Sequence, residues 1–206
     1  MKQLRTINRY ELGILYRIVM KRITSTQSPK QLSFLIGKPD DYVSRVEMLE
    51  ARFYSAEDVR CIASALEEVE ILSFYPVNAD ESEIQVELEK VYFENYCVYT
   101  CTIINELGER ENYFTLTDDT EFKELSQEQD DEEFSLASDG ILLLIQANYF
   151  CDPRMAIEAY LAINFFLQRT LRADAIKAAL HDLFIAPEPL IGRVEIDNAR
   201  FAYQQQ

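Results

Sequence analysis

SPKQLSFLIGKPDDYVSRVEMLEARFYSAEDVRCIASAL, Ser28 to Leu66, is the stretch on which the fold turns. Ser28-Pro29 has the form of a helix start, with Ser as the cap and Pro at the first helical position. A short helix over Lys30–Ile36 turns Leu32 and Leu35 inward, and Gly37 stops it with the positive φ that glycine tolerates. Pro39-Asp40-Asp41 opens the next helix, Tyr42–Glu50, since acidic residues suit a helix N-terminus. Its inward set is Val43 and Val46, with Leu49 or Phe53 as the next member. Ser55 caps a further helix to Leu66, whose Val59, Ile62, Ala63 and Leu66 recur at helical spacing.

One more helix precedes these. In Arg9–Arg22 the residues Leu12, Leu15, Tyr16, Val19 and Met20 form a stripe that Ile14, Ile18 and Ile23 widen. Arg17, Lys21 and Arg22 make a small basic patch near its end, where they suit the helix dipole or could reach a phosphate.

Gln31-Leu32-Ser33, Ile36-Gly37, Tyr42-Val43-Ser44-Arg45-Val46-Glu47 and Cys61-Ile62-Ala63-Ser64-Ala65-Leu66 fall in the order and spacing of a known family. Over about residues 9–68 the chain resembles the λ-repressor-like (Cro/cI-type, XRE) helix-turn-helix. The resemblance implies a DNA-binding transcriptional regulator whose contacts to duplex DNA come from Lys30, Lys38, Ser44, Arg45 and Arg52. Pro29 stands where the family has a backbone-contacting Gln. Asp40 and Asp41 stand where it offers small polar or basic side chains, which leaves open whether DNA is bound. Arg45 and Glu47 also suit a packing role.

Charge sharpens that question. The 206 residues carry a formal net charge of −16. Residues 1–70 hold 11 Lys/Arg and 10 Asp/Glu, residues 71–140 hold 3 and 19, and residues 141–206 hold 6 and 7. The acidity is confined to the middle third. Nucleic-acid affinity rests largely on neutralising phosphates, and the N-terminal part is neutral rather than basic.

Residues 67–90 leave the helical pattern, with Pro76-Val77-Asn78-Ala79-Asp80 as a boundary. Ile84, Leu88, Val91 and Tyr92 fit a helix face, and Ile84, Val86, Leu88 and Tyr92 fit a strand; both readings stand. Tyr96–Ile104 and Asn112–Thr117 predict a hairpin around Gly108, with apolar members on both faces and so covered on both sides by the chain or a partner. Residues 118–133, DDTEFKELSQEQDDEE, form a charge run that reads as a solvated helix or loop. It could also imitate a phosphate backbone against the chain's own basic residues, or bind a basic partner.

Three helices follow: Ile141–Phe150, one started by Asp152-Pro153, and Arg172–Phe184. A strand over Leu190–Ile196, a turn at Asp197-Asn198 and a strand over Ala199–Tyr203 close the chain. Helices followed by a hairpin resemble a winged helix, which implies wing contacts from Arg193 and Arg200. The exposed face of Arg172, Asp174, Lys177 and Asp182 is neutral.

The expected fold class is mostly α with a small β component (α+β). The expected domains are a helix-turn-helix domain over 1–75, an acidic linker with a β-hairpin over 76–140, and a winged-helix-like domain over 141–206. A single His, at 181, and the absence of phosphate-loop, dinucleotide or zinc spacings argue against an enzyme, a cofactor or a metal. The cysteines 61, 97, 101 and 151 read as buried thiols. The N-terminus lacks a signal-like apolar core and no run is long enough to span a membrane, so a cytoplasmic setting is expected. The leading functional expectation is a DNA-binding regulator whose C-terminal unit dimerises, as a homodimer, or binds a partner. The alternatives are an adaptor or assembly protein that keeps the helix-turn-helix without binding DNA, and an acidic DNA mimic directed at a basic protein.

Overall fold

Asn8 marks a change from strand to helix. The first strand, β1 (Lys2–Asn8), ends there, and the Asn8 side-chain oxygen accepts from the Tyr10 N–H at 2.8 Å. This satisfies one of the open donors at the start of α1 (Arg9–Thr24). The computed structural model describes residues 2–78, 80–123, 126–196 and 199–206, with the backbone alone for residues 2 and 3. Ala79 in the expected boundary, residues 124 and 125 of the acidic run and the expected Asp197-Asn198 turn lie outside the described residues.

Leu12, Leu15, Ile18 and Val19 of α1 are fully buried. α2 (Pro29–Leu35) starts with a reciprocal cap: the Ser28 N–H donates to the Gln31 side-chain oxygen at 2.7 Å, and the Gln31 N–H donates to the Ser28 hydroxyl at 3.1 Å. α3 (Tyr42–Glu47) is shorter than the Tyr42–Glu50 expected. The chain leaves the helix at Leu49, where φ is +53° and the N–H donates to the Val46 carbonyl at 2.9 Å. α4 (Ala56–Ala65) begins with a capping box between Ser55 and Asp58.

Beyond α4 the chain builds a sheet. β2 (Glu83–Tyr92), β3 (Cys97–Ile104) and β4 (Arg110–Asp118) join β1 in the antiparallel order β1-β2-β3-β4. Residues 84–92 are therefore strand, with Val86, Leu88 and Lys90 buried on one face. The chain itself covers one face of the β3 strand of this hairpin fully and the other in part. Cys97, Tyr99, Cys101 and Ile103 are buried, whereas Val98, Thr100, Thr102 and Ile104 are only partly covered.

The last part of the chain holds α5 (Gln127–Gln146), β5 (Arg154–Met155), α6 (Ala156–Leu167), α7 (Ala173–Ile185), β6 (Ile191–Ile196) and β7 (Arg200–Gln205). Its sheet is antiparallel in the order β5-β7-β6. α5 differs from the expectation: the end of the acidic run and the apolar segment from Ile141 form one helix, started by a capping box between Ser126 and Gln129. Cys151 is exposed, which corrects its reading as a buried thiol; Cys61, Cys97 and Cys101 are buried.

Two compact units result, Met1–Leu32 with Asp41–Lys123, and Ser33–Asp40 with Glu124–Gln206. This differs from the three consecutive segments read from the sequence. The stretch 76–123 supplies three of the four strands of the first unit's sheet, so it is not a linker. The division also falls inside α2, and the turn around Gly37 belongs to the second unit. There the Gly37 carbonyl accepts from the Phe201 N–H at 2.6 Å. Gly37 has φ +70°, and a Cβ on it would lie 2.6 Å from the Phe201 carbonyl oxygen, so only glycine fits. Seven α-helices and two antiparallel sheets among the described residues make the chain a mixed α+β protein.

Candidate nucleic-acid interface

The residues expected to touch DNA lie in different settings. Lys30, Arg45 and Arg52 are exposed in the first unit, Ser44 is half-buried there, and Lys38 belongs to the second unit. Two of them turn back on their own helix start. The Ser44 hydroxyl donates to the Asp41 carbonyl at 3.0 Å, and the Arg45 guanidinium lies 3.7 Å from the Asp41 carboxylate. On α3 itself and its flanks in this unit, the exposed charges Asp41, Arg45, Glu50 and Arg52 sum to zero.

The basic patch of α1 is engaged inside the unit. The Arg17 guanidinium donates to the Gly13 carbonyl at 3.0 Å, and Lys21 pairs with Glu68. Arg22 is completely buried. Its Nε donates to Glu47 Oε1 at 2.7 Å, and one Nη donates to Glu47 Oε2 at 3.1 Å and to Asp118 Oδ2 at 2.7 Å. The other Nη donates to the Gln27 carbonyl at 2.9 Å and the Thr120 hydroxyl at 3.2 Å. Burial alone would lower the pKa of Arg22, but the two carboxylates outweigh it and raise it. Burial likewise pushes Asp118 up, and Arg22 with the Thr120 donors brings it below the usual carboxylate range. Asp118 opens the acidic run, so the run does take up one of the chain's own cations, in a buried contact.

The network also fixes α3 against the sheet. The Tyr99 hydroxyl on β3 donates to the Glu47 backbone carbonyl. Burial raises the Tyr99 pKa well above its ordinary value and Glu47 adds to that, so the phenol is protonated and can donate. Ser44, Glu47, Met48 and Glu50 form one wall of a pocket of about 200 Å3; Lys90, Tyr92 and Tyr99 form the other. Lys90 is 7% exposed and 3.6 Å from Glu121; burial lowers its pKa, but Glu47 and Glu121 prevail and raise it. The helix side that carries Ser44 therefore looks onto the four-stranded sheet. Around the hairpin beside it, Tyr92, Phe93 and Tyr96 are exposed, and the last two stack at 4.8 Å.

The wing candidates separate. Arg193 is exposed and lies 4.0 Å from the centre of the Phe201 ring. Arg200 is 3% exposed, which corrects its reading as a surface contact: it sits on the inward side of β7. Lys177 on α7 pairs with Asp40 at 2.5 Å. Sequence reasoning missed Arg22, Glu47, Asp118 and Tyr99 as a group because the partners of Arg22 lie 25 and 96 residues away.

No protein-family model matches the chain, and comparison with curated proteins and with solved structures gives no significant match.

Proposed function

We propose that the chain is a non-enzymatic adaptor or assembly protein with a helix-turn-helix-type first unit that does not read DNA through α3. One observation carries this reading: the Ser44 side of α3 faces Lys90, Tyr92 and Tyr99 across a pocket instead of standing clear. A recognition helix must enter a major groove about 12 Å wide, and a sheet on that side excludes the duplex. The zero net charge of the exposed α3 surface and the internal partners of Arg17, Lys21 and Arg22 agree with it.

The partner in this reading is a basic protein. Residues 71–140, with 3 Lys/Arg against 19 Asp/Glu, supply the complementary charge. Tyr92, Phe93 and Tyr96 supply amphipathic contact area of the kind enriched at interfaces. We read the second unit as winged-helix-like: the order α5, β5, α6, α7, β6, β7 and the sheet order β5-β7-β6 support this. Leu161 and Phe165, one turn apart on α6 and both exposed, support a role for that unit in self-association.

Fluorescence anisotropy with pools of duplex DNA at low and physiological salt tests the central claim. Arg45→Ala and Arg52→Ala should change no binding that is seen. A salt-dependent affinity that both substitutions abolish would overturn the reading.

A further inference from the structure

β6 is an edge of the second unit's sheet, whose order is β5-β7-β6. The Gln206 N–H donates to the Leu190 carbonyl at 3.2 Å, so Leu190 turns its backbone groups toward β7. Along an antiparallel strand these directions alternate. Gly192, Val194 and Ile196 therefore face β7, while Ile191, Arg193 and Glu195 turn their N–H and C=O groups to the outer edge. The Phe201 N–H agrees: it stands opposite Glu195 and donates away from β6, to the Gly37 carbonyl at 2.6 Å. An edge strand is a template for a further strand.

The side chains on this edge select the strand that fits. Arg193 and Glu195 share one face of β6, and both are exposed. When β6 pairs antiparallel with itself about Val194, Arg193 meets Glu195 of the second copy, and Glu195 meets its Arg193. Both positions turn their backbone groups outward, so each such pair also exchanges both N–H···O bonds. Opposite charges facing each other across strands attract, and like charges oppose the pairing. Slipping the register by two residues sets Arg193 against Arg193, or Glu195 against Glu195. Slipping it by one sets outward backbone groups against inward ones and exchanges the faces. Charges of one sign would blunt the edge altogether; this alternation leaves a single favourable alignment.

The Arg193 guanidinium rests on the face of Phe201 at 4.0 Å, which orients the cation without removing its charge. On the opposite face Val194 and Ile196 are only half-buried, and a continued sheet would cover the rest of them. Phe184 and Ile185 at the end of α7, and Leu190 just before β6, are exposed apolar residues that lead into this edge. We propose that a second copy of this chain adds to the β6 edge, antiparallel and centred on Val194, with Arg193–Glu195 pairs formed across the two-fold axis. This gives the self-association read for the second unit a surface and rests on that reading. Leu161 and Phe165 stand on a different element, α6, so the two surfaces can be told apart.

Charge exchange tests the pairing. Sedimentation equilibrium of the full-length protein over a concentration series, in ~0.15 M salt to screen the net charge of −16, should show a monomer–dimer equilibrium. Arg193→Glu and Glu195→Arg should each weaken it roughly tenfold or more, since each turns both attractive pairs into repulsive ones. Mixed together, the two single variants should associate about as tightly as native copies, because every facing pair is again opposite. The double exchange, Arg193→Glu with Glu195→Arg, should do the same. In hydrogen exchange the Arg193 and Glu195 amides should gain protection as concentration rises, whereas those of Gly192 and Val194, bonded within the sheet, should stay as they are. A dimer that neither single change weakens overturns the edge pairing; if Phe165→Glu breaks that dimer, the self-association reading stands without it. Weakening that neither the mixture nor the double exchange restores overturns the pairing as well. A chain that stays monomeric throughout the series overturns both.

Discussion

Two charge clusters in this protein are built in opposite senses. In the first unit one cation, Arg22, is buried between two carboxylates, Glu47 and Asp118, and its nitrogens are saturated by protein groups. In the second, Lys177 meets the exposed Asp40 carboxylate at 2.5 Å and lies 5.8 Å from the centre of the Phe34 ring. The first arrangement is closed: Arg22, Glu47 and Asp118 are all buried, and every N–H of the guanidinium donates to a protein oxygen. The second is open, with Asp40 exposed to solvent. The contrast separates a buried brace from a surface ion pair by burial and by the number of partners rather than by the presence of Arg and Lys.

The sharpest way to break the comparison is at Arg22. Arg22→Met leaves Glu47 and Asp118 buried without their cation and should cost about 3–5 kcal/mol of first-unit stability. Urea unfolding followed by hydrogen exchange, which resolves the two units, would measure it. A loss under about 1 kcal/mol would mean that the cluster admits water and is not closed.

Acid probes the same cluster from its carboxylate side. Asp118 has a depressed pKa in the folded state, so its contribution is present above the unfolded value, near 3.9, and is lost as pH falls through the folded value. Asp118→Asn should therefore be less stable than the native protein at neutral pH, and should lose less on going from pH 5 to pH 3. An acid titration followed by circular dichroism checks the sign.

In the second unit the matching structural test is Gly37→Ala. With φ at +70° and the Phe201 carbonyl in the way, the substitution should cost about 1–2 kcal/mol. Its effect should appear in amides of β7 and spare those of β1–β4. Tyr99→Phe is milder. It removes the donor to the Glu47 carbonyl and should cost about 1 kcal/mol, read from the same exchange data.

These contacts show where the sequence was readable. Caps and periodicity lie within a few residues of one another, so Ser28-Pro29, Ser55 and the stripe of α1 announced their helices directly. The Gly108 turn announced the β3–β4 hairpin in the same way. β1 was not readable, because KQLRTIN alternates only weakly and its partner, β2, lies some eighty residues on. β2 fitted both periods, since Ile84 and Leu88 are shared by a strand face and a helix face. α5 hid behind a compositional change at its middle, although Ser126 and Gln129 carry the capping signature that marks its start. The charge clusters were out of reach for a different reason. Arg22 with Asp118, and Lys177 with Asp40, are 96 and 137 residues apart, and no local rule pairs them.

The smallest expected effect lies at the residues that the helix-turn-helix resemblance singles out. Arg45 is exposed and meets the Asp41 carboxylate at 3.7 Å across one helical turn, a geometry whose measured worth is a few tenths of a kcal/mol. Arg45→Ala should shift first-unit stability by less than about 0.5 kcal/mol. That near-silence is informative beside Arg22, an arginine of the same unit whose loss is expected to cost several times more. Both are cations on helices of the motif, and only burial and partner count differ between them. An Arg45→Ala loss comparable to that of Arg22→Met would show that α3 is braced through its outer face as well. The line between the two residues would then have been drawn in the wrong place.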